Sequence, residues 1–183
     1  MQKCRRFWEI GAILLVAFQI SIAEKGPKEW EEWTNFSGGI GYTLSEQGPG
    51  WNGCLSHNRG KTIFYQAAFS VVNGNLGSHP YYLNSISLAA GLRHMDRFFL
   101  KAIFIGPSYN MGKIKNPEIP NIINEWSDAN GWGIWTNLQF IFRPPPLPDV
   151  AFGIDIYSNW NRAKNNYGFR FALSFSNTTK KEW

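Results

Sequence analysis

The chain has 183 residues and a formal charge of +5, from 18 Lys and Arg against 13 Asp and Glu, with 16% aromatic residues. That length suits one domain and is short for two. No stretch concentrates Lys and Arg among interleaved aromatics, which argues against a nucleic-acid partner, and two cysteines, Cys4 and Cys54, make no disulfide framework.

Residues 1–23 read as a cleaved signal peptide. Lys3, Arg5 and Arg6 precede an apolar run over 10–22 that only Gln19 interrupts, and Ser21-Ile22-Ala23 forms a small-x-small cleavage site. The run is shorter than the ~20 residues of a spanning helix, which favours cleavage over an anchor. Cys4 lies before the run rather than at its end, so a lipoprotein is disfavoured. Cleavage removes three basic residues and one acid, Glu9, which lowers the formal charge to about +3. Cys54 is then the sole cysteine, so no intramolecular disulfide forms in an exported compartment that would favour one. It reads as an inert buried thiol with no assigned role.

Beyond residue 23 no apolar segment approaches spanning-helix length, so a membrane placement requires a closed barrel. Residues 24–36, with Trp30, Glu31, Glu32 and Trp33, read as a segment before the barrel: a partly ordered periplasmic tail, with an interfacial amphipathic helix or a plug as alternatives. Strands then follow in order. Residues 38–45 alternate Ile40, Tyr42 and Leu44 with Gly41, Thr43 and Ser45; residues 51–57 form a short strand; residues 61–72 are rich in strand formers but apolar on both faces. Residues 82–94 set Ile86, Leu88, Ala90 and Leu92 against Ser85, Ser87, Ala89, Gly91 and Arg93. In 98–109, Phe98, Leu100, Ala102 and Phe104 oppose Lys101, but Phe99, Ile103 and Ile105 share the Lys101 face, leaving the lipid side ambiguous.

The last three strands are the clearest. In 132–142, Trp132, Ile134, Leu138, Phe140 and Phe142 oppose Gly133, Asn137 and Gln139, with Arg143 in phase and Trp135 and Ile141 as exceptions. In 150–160, Val150, Phe152, Ile154 and Ile156 oppose Ala151, Gly153, Asp155, Tyr157 and Asn159. In 167–176, Tyr167, Phe169, Phe171, Leu173 and Phe175 oppose Gly168, Arg170, Ala172, Ser174 and Ser176.

The links between these eight strands alternate. Residues 46–50, 73–80, 112–131 and 161–166 occupy one end, two of them long, while 58–60, 95–96 and 144–148 are tight. Even strand number, termini beside short turns and longer loops opposite are the rules of barrels in bacterial outer membranes. The expected fold is all-β: one antiparallel up-and-down transmembrane β-barrel of about eight strands over residues 37–183. Tyr82, Tyr109, Trp132, Trp160 and Tyr167 fall near the membrane interfaces. The fifth link reads as a mobile surface loop or a binding loop.

Gly38-Gly39-Ile40-Gly41-Tyr42, Phe64-Tyr65-Gln66, the run 105–113 with Gly106-Pro107-Ser108-Tyr109-Asn110, and the ending Phe152-Gly153-Ile154-Asp155-Ile156-Tyr157-Ser158-Asn159 followed by Asn166-Tyr167-Gly168-Phe169 resemble small outer-membrane β-barrel proteins of Gram-negative bacteria. The resemblance covers most of the chain after residue 23 and implies outer-membrane localisation, contact with outer-membrane lipid and, during biogenesis, with the barrel assembly machinery. It implies no reaction. Such proteins commonly end on an aromatic residue of the last strand; here either Phe175 or Trp183 fills that place.

Eight strands enclose a lumen that side chains can fill, which excludes a general porin. Arg93, Lys101, Gln139, Arg143, Asp155 and Arg170 are the expected lumen polar network, with an anion or lipid phosphate near Arg143 and Arg170 as the alternative. His57, His79 and His94 are scattered and make no triad or metal site, so neither catalysis, a cofactor nor a metal is expected. The expected role is structural or surface-binding through the outer loops. A secreted lipocalin-like barrel, which would turn the bulky faces inward, is the alternative, although the lipocalin Gly-x-Trp signature is missing after Gly38, Gly39 and Gly41. A lipid-A or phospholipid-modifying enzyme using Ser78 and His79 is a second alternative, and a periplasmic β-sandwich a third.

Overall fold

The computed structural model describes residues 31–43, 49–74, 80–96, 98–115, 126–144, 147, 149–161 and 165–176. The expected leader, the loop tips, Ser78, His79 and the tail through Trp183 lie outside the described residues. The strands are β1 (Glu32–Thr43), β2 (Pro49–Gly60), β3 (Phe64–Asn73), β4 (Tyr81–Met95), β5 (Phe99–Lys115), β6 (Trp126–Asp128), β7 (Gly131–Phe142), β8 (Val150–Asn161) and β9 (Asn166–Ser176). Eight of them close into an antiparallel up-and-down barrel, because β1 pairs with β9 and β4 with β5. β6 pairs only with the end of β5 and stands outside the wall.

The register fixes the geometry. Cross-strand partners run once round the barrel from Phe142 through Phe152, Leu173, Phe36, Leu55, Phe69, Ile86 and Tyr109 to Trp132, returning to β7 ten residues from the start. A ten-residue shear at about 3.3 Å per residue, against eight strands about 4.8 Å apart, gives a tilt of about 40°, within the range of transmembrane barrels. Trp132 and Phe142 then lie about 25 Å apart along the axis, the height of a barrel's apolar band. Every member of that spiral row is bulky and apolar, and nearly all are exposed outward.

Inward positions are small or polar in the middle and aromatic toward the turn end, where Trp33, Phe64, Met95, Leu100, Phe104, Trp135 and Ile141 join one buried cluster. The outward placement of Phe169, Phe171, Leu173 and Phe175 overturns the lipocalin-like alternative, which needed those rings inside.

Four expectations change. β1 begins at Glu32 rather than Gly38, and residues 32–36 belong to the wall instead of a preceding tail, because Glu32 to Tyr42 pair with Arg59 to Pro49 in unbroken register. β2 runs over Pro49–Gly60, longer than the expected 51–57. β3 alternates cleanly, with Phe64 and Val72 inside and Tyr65, Phe69 and Val71 outside. In β5 the Leu100, Ala102 and Phe104 face is the inner one and Ile103 and Ile105 face outward. The β4–β5 ladder is interrupted opposite Gly106-Pro107, where Pro107 has no N–H to donate.

Candidate functional site

The lumen is a sealed network built around Gln66. Its Nε2 donates to Asn58 Oδ1 (2.9 Å) and Asn137 Oδ1 (3.1 Å), and its Oε1 accepts from Trp135 Nε1 (3.0 Å), so one side chain ties β2, β3 and β7 together. Below it Trp33 Nε1 donates to Gln139 Oε1 (3.2 Å), and the Trp33 ring meets Phe64 and Phe104 with centroids at 5.4 and 6.3 Å. Above it Asn159 Nδ2 donates to Asn110 Oδ1 (2.7 Å) and Ser108 Oγ to Asn159 Oδ1 (3.0 Å). Buried amides and indoles with partners hold a narrow interior in one arrangement.

On the wall formed by β8, β9, β1 and β2 sits a charged pair. Asp155 and Arg170 are cross-strand partners, 1% and 0% exposed, with Nη2 and Oδ2 3.8 Å apart. The Arg170 guanidinium lies 4.2 Å from the Tyr157 ring centroid and 5.4 Å from that of Trp135, whose rings stack at 5.4 Å. The aromatic faces supplement the carboxylate in neutralising the cation. Gly41 makes this possible, since a Cβ there would collide with the Tyr157 hydroxyl. A lipid phosphate has no route to a fully buried Arg170.

The six predicted network residues divide. Gln139, Asp155 and Arg170 share one cross-strand row inside the lumen. Arg93 is also inside, its guanidinium 4.2 Å over Phe64 and 5.9 Å from Trp33. Arg143, just past β7, reaches Met95 Sδ at 3.9 Å at the turn-end rim. Lys101 is not in the lumen: it lies on the outer face of β5, 3.4 Å from Asp96 in the β4–β5 turn. The inner face there is taken by Leu100 and Ala102, which the aromatic floor requires. Sequence reasoning missed Gln66, Asn58, Trp33 and Tyr157; inward parity on β2 and β3 is the signal that could have found the first two.

The two described histidines, His57 and His94, stand at the turn end, apart from one another. His57 Nδ1 is 3.0 Å from Thr34 Oγ1 and its Nε2 3.3 Å from Glu32 Oε1, while Ser56 points to the lumen. His94 Nε2 donates to Asp96 Oδ1 at 2.7 Å. Burial pushes the Asp96 carboxyl up, but the hydrogen bonds and charges of His94 and Lys101 outweigh it and hold it below the usual value. Cys54 is a buried free cysteine on the inner face of β2. Among the described residues no group of three His, Cys, Asp or Glu could hold a metal.

At the loop end Val72, Tyr81, Leu83 and Ala129 form a second buried cluster, with Ile114 packed against it. β5 continues past this cap and pairs Lys113, Ile114 and Lys115 with Asp128, Ser127 and Trp126 of β6, a two-stranded tongue beyond the wall. Trp126 packs on Tyr82 (5.5 Å) and Trp132 on Tyr109 (5.2 Å), which starts an aromatic girdle at this end.

The closed eight-stranded fold is similar to that of solved structures. Neisserial surface protein A (NspA) superposes with a TM-score of 0.59 at 11% identity, covering 80% of this chain and 97% of that one. The fold is that of the small outer-membrane barrels. The N-terminal β-barrel domain of Pseudomonas aeruginosa OprF superposes with a TM-score of 0.53 at 8% identity, over 81% of this chain and 98% of that domain. At these identities the likeness is one of fold. No protein-family model matches the sequence, and no curated protein matches it.

Proposed function

We propose that this protein is a non-enzymatic integral outer-membrane barrel of a Gram-negative bacterium, exported through a cleaved signal peptide, with a structural or surface-binding role carried by its loop end. The observation that supports this reading best is the pairing of an outward apolar band of about 25 Å, the height expected of membrane barrels, with a lumen closed by the Gln66 network and two hydrophobic clusters. Such a body offers no wide water path. What it presents to a partner is the rim, and the β5–β6 tongue extends that rim on the loop side. The assembly machinery would read β9, whose outward face ends in Phe175.

Orientation gives the test. In a C54S background, a cysteine replacing Asn130 at the foot of the tongue is expected to react with a membrane-impermeant maleimide in intact cells, and one replacing Asp96 only after permeabilisation. The opposite pattern overturns the reading, as does a protein soluble without detergent whose gel mobility is unaffected by heating. For catalysis, a deletion strain is expected to keep the parental lipid A acylation profile. A change restored by the wild type but not by S78A/H79A would make the protein an enzyme.

A further inference from the structure

Nearly every glycine of the wall faces inward, where a Cβ would strike the next strand, as at Gly39 against the Phe169 carbonyl. Gly38 and Gly53 are different. They face outward, they are cross-strand partners, and a Cβ on either would come no nearer than 3.8 or 3.9 Å to any atom. Their paired lack of side chains leaves a groove of about 430 Å³ between Phe36, Leu55, Phe69 and Val71. In the spiral row Leu55 stands at the fourth of eight steps between the two ends of the apolar band, so the groove straddles the middle of the membrane.

Toward the turn end the same stretch of wall carries Thr34, His57 and Ala67 in one outward row and ends at Arg59 and Lys61. Arg59 and Lys61 are 77% and 81% exposed, and their nearest acids, Glu32 and Glu31, are each 3.9 Å away, too far for a hydrogen bond. Both therefore keep donors for an incoming anion. From Leu55, at the middle of the band, to Arg59 is four residues, about 13 Å along the strand and about 10 Å in depth at the barrel's tilt. That brings Arg59 close to the turn-end edge of the apolar band, where its long side chain reaches headgroup depth.

We propose that this groove is a binding site for one phospholipid of the turn-side leaflet, with an acyl chain over Gly38 and Gly53 and its phosphate against Arg59 and Lys61. The choice of occupant follows from the two ends of the groove: the mid-membrane end is apolar and open, and at the turn-end rim Arg59 and Lys61, ion-paired at 3.9 Å with Glu32 and Glu31, keep N–H donors that a phosphate can take. The site deepens the membrane reading above and rests on it.

The test is native mass spectrometry of the full-length protein in mild detergent with added dioleoyl phosphatidylglycerol, and with dioleoylglycerol, which has the chains but no phosphate. Wild type is expected to retain one phosphatidylglycerol and at least tenfold less dioleoylglycerol. G38L/G53L, which fills the groove without a backbone clash, and R59E/K61E, which reverses the cations, are each expected to lower phosphatidylglycerol occupancy at least tenfold. Heat-dependent gel mobility identifies which variants are folded. Equal occupancy in wild type and folded variants overturns the site, as does equal retention of the two lipids. A wild-type dimer that G38L/G53L converts to a lipid-free monomer overturns it in favour of self-association. A detergent-requiring barrel that binds no lipid removes the site alone, whereas a protein soluble without detergent removes the membrane reading with it.

Discussion

The two walls of the lumen solve the problem of a narrow interior differently. The wall of β3, β4, β5 and β7 is large and apolar, with Phe64, Leu83, Phe104, Trp135 and Ile141 filling space, and its polar hub Gln66 uses both its carbonyl and its amide. The wall of β8, β9, β1 and β2 carries Asn35, Asn52, Ser56, Asp155, Arg170 and Ser174 over small neighbours such as Ser37, Gly39, Gly153 and Ala172. There the charged pair sits at 3.8 Å, and no hydrogen bond from a described residue reaches the Asn35 or Asn52 amides. The bulky wall determines shape, and the small wall leaves room for charge. One ring does stand on the small wall: Tyr157 of β8 projects over Gly41 of β1, where a Cβ would collide with its hydroxyl.

The largest effect should come from unbalancing the polar wall. D155A leaves Arg170 buried among the Tyr157 and Trp135 rings and the Cys54 side chain with no carboxylate beside it, and loss of one partner of a buried pair costs about 3–5 kcal/mol. The folded, fast-migrating form should be lost at a much lower temperature, and D155L/R170M should recover most of that loss because the charge goes with its partner. A D155A barrel as heat-resistant as wild type would mean that the pair does not hold this wall together. Next comes the outer side of the same wall. F171R places a cation near the membrane midplane, for about 2–4 kcal/mol, while Y167R, four residues nearer the loop end, should cost about 0–1 kcal/mol. Equal effects would refute the apolar band. On the bulky wall, Q66A strands the Trp135 indole and the Asn58 and Asn137 amides, for about 1–3 kcal/mol, with a change in tryptophan fluorescence that D155A should not reproduce.

The polar wall was the more legible in sequence. On β8 and β9 every inward residue is small, polar or charged and every outward one bulky, save Tyr157 inside and Ser158 outside, so parity alone puts Asp155 and Arg170 in the lumen. The bulky wall defeats parity because a plug needs large apolar residues inside as well as out. Leu100, Ala102 and Phe104 cannot be told from Phe99, Ile103 and Ile105 until Met95 and Ile141 are known to join them. That ambiguity is why Lys101 was expected inside. The start of β1 was hidden for a related reason: Trp33 faces the lumen and Gly38 and Gly39 follow, which breaks the alternation where the strand is well paired. The Gln66 hub was beyond reach, since its bond to Trp135 joins residues 69 apart across the barrel, and only the shear brings them to one height.

The smallest effect belongs to the turn-end rim, where Lys101 was found instead of in the lumen. Asp96 accepts from His94 at 2.7 Å and faces Lys101 at 3.4 Å, and those partners hold its carboxyl below the usual value despite the opposing pull of burial. A carboxylate depressed in the folded state stabilises the fold above its unfolded value, and that stabilisation is lost as the pH falls through the folded one. D96N should therefore cost most at neutral pH, about 0.2–1 kcal/mol because the group is solvent-screened, and the gap from wild type should close below about pH 4. Melting of both proteins in detergent at pH 7 and pH 3 measures it. A gap that persists at pH 3 would show that the Asp96 contact works through shape rather than charge. A gap that widens would mean that the rim is stabilised by the protonated acid, reversing the role assigned to Lys101 and His94.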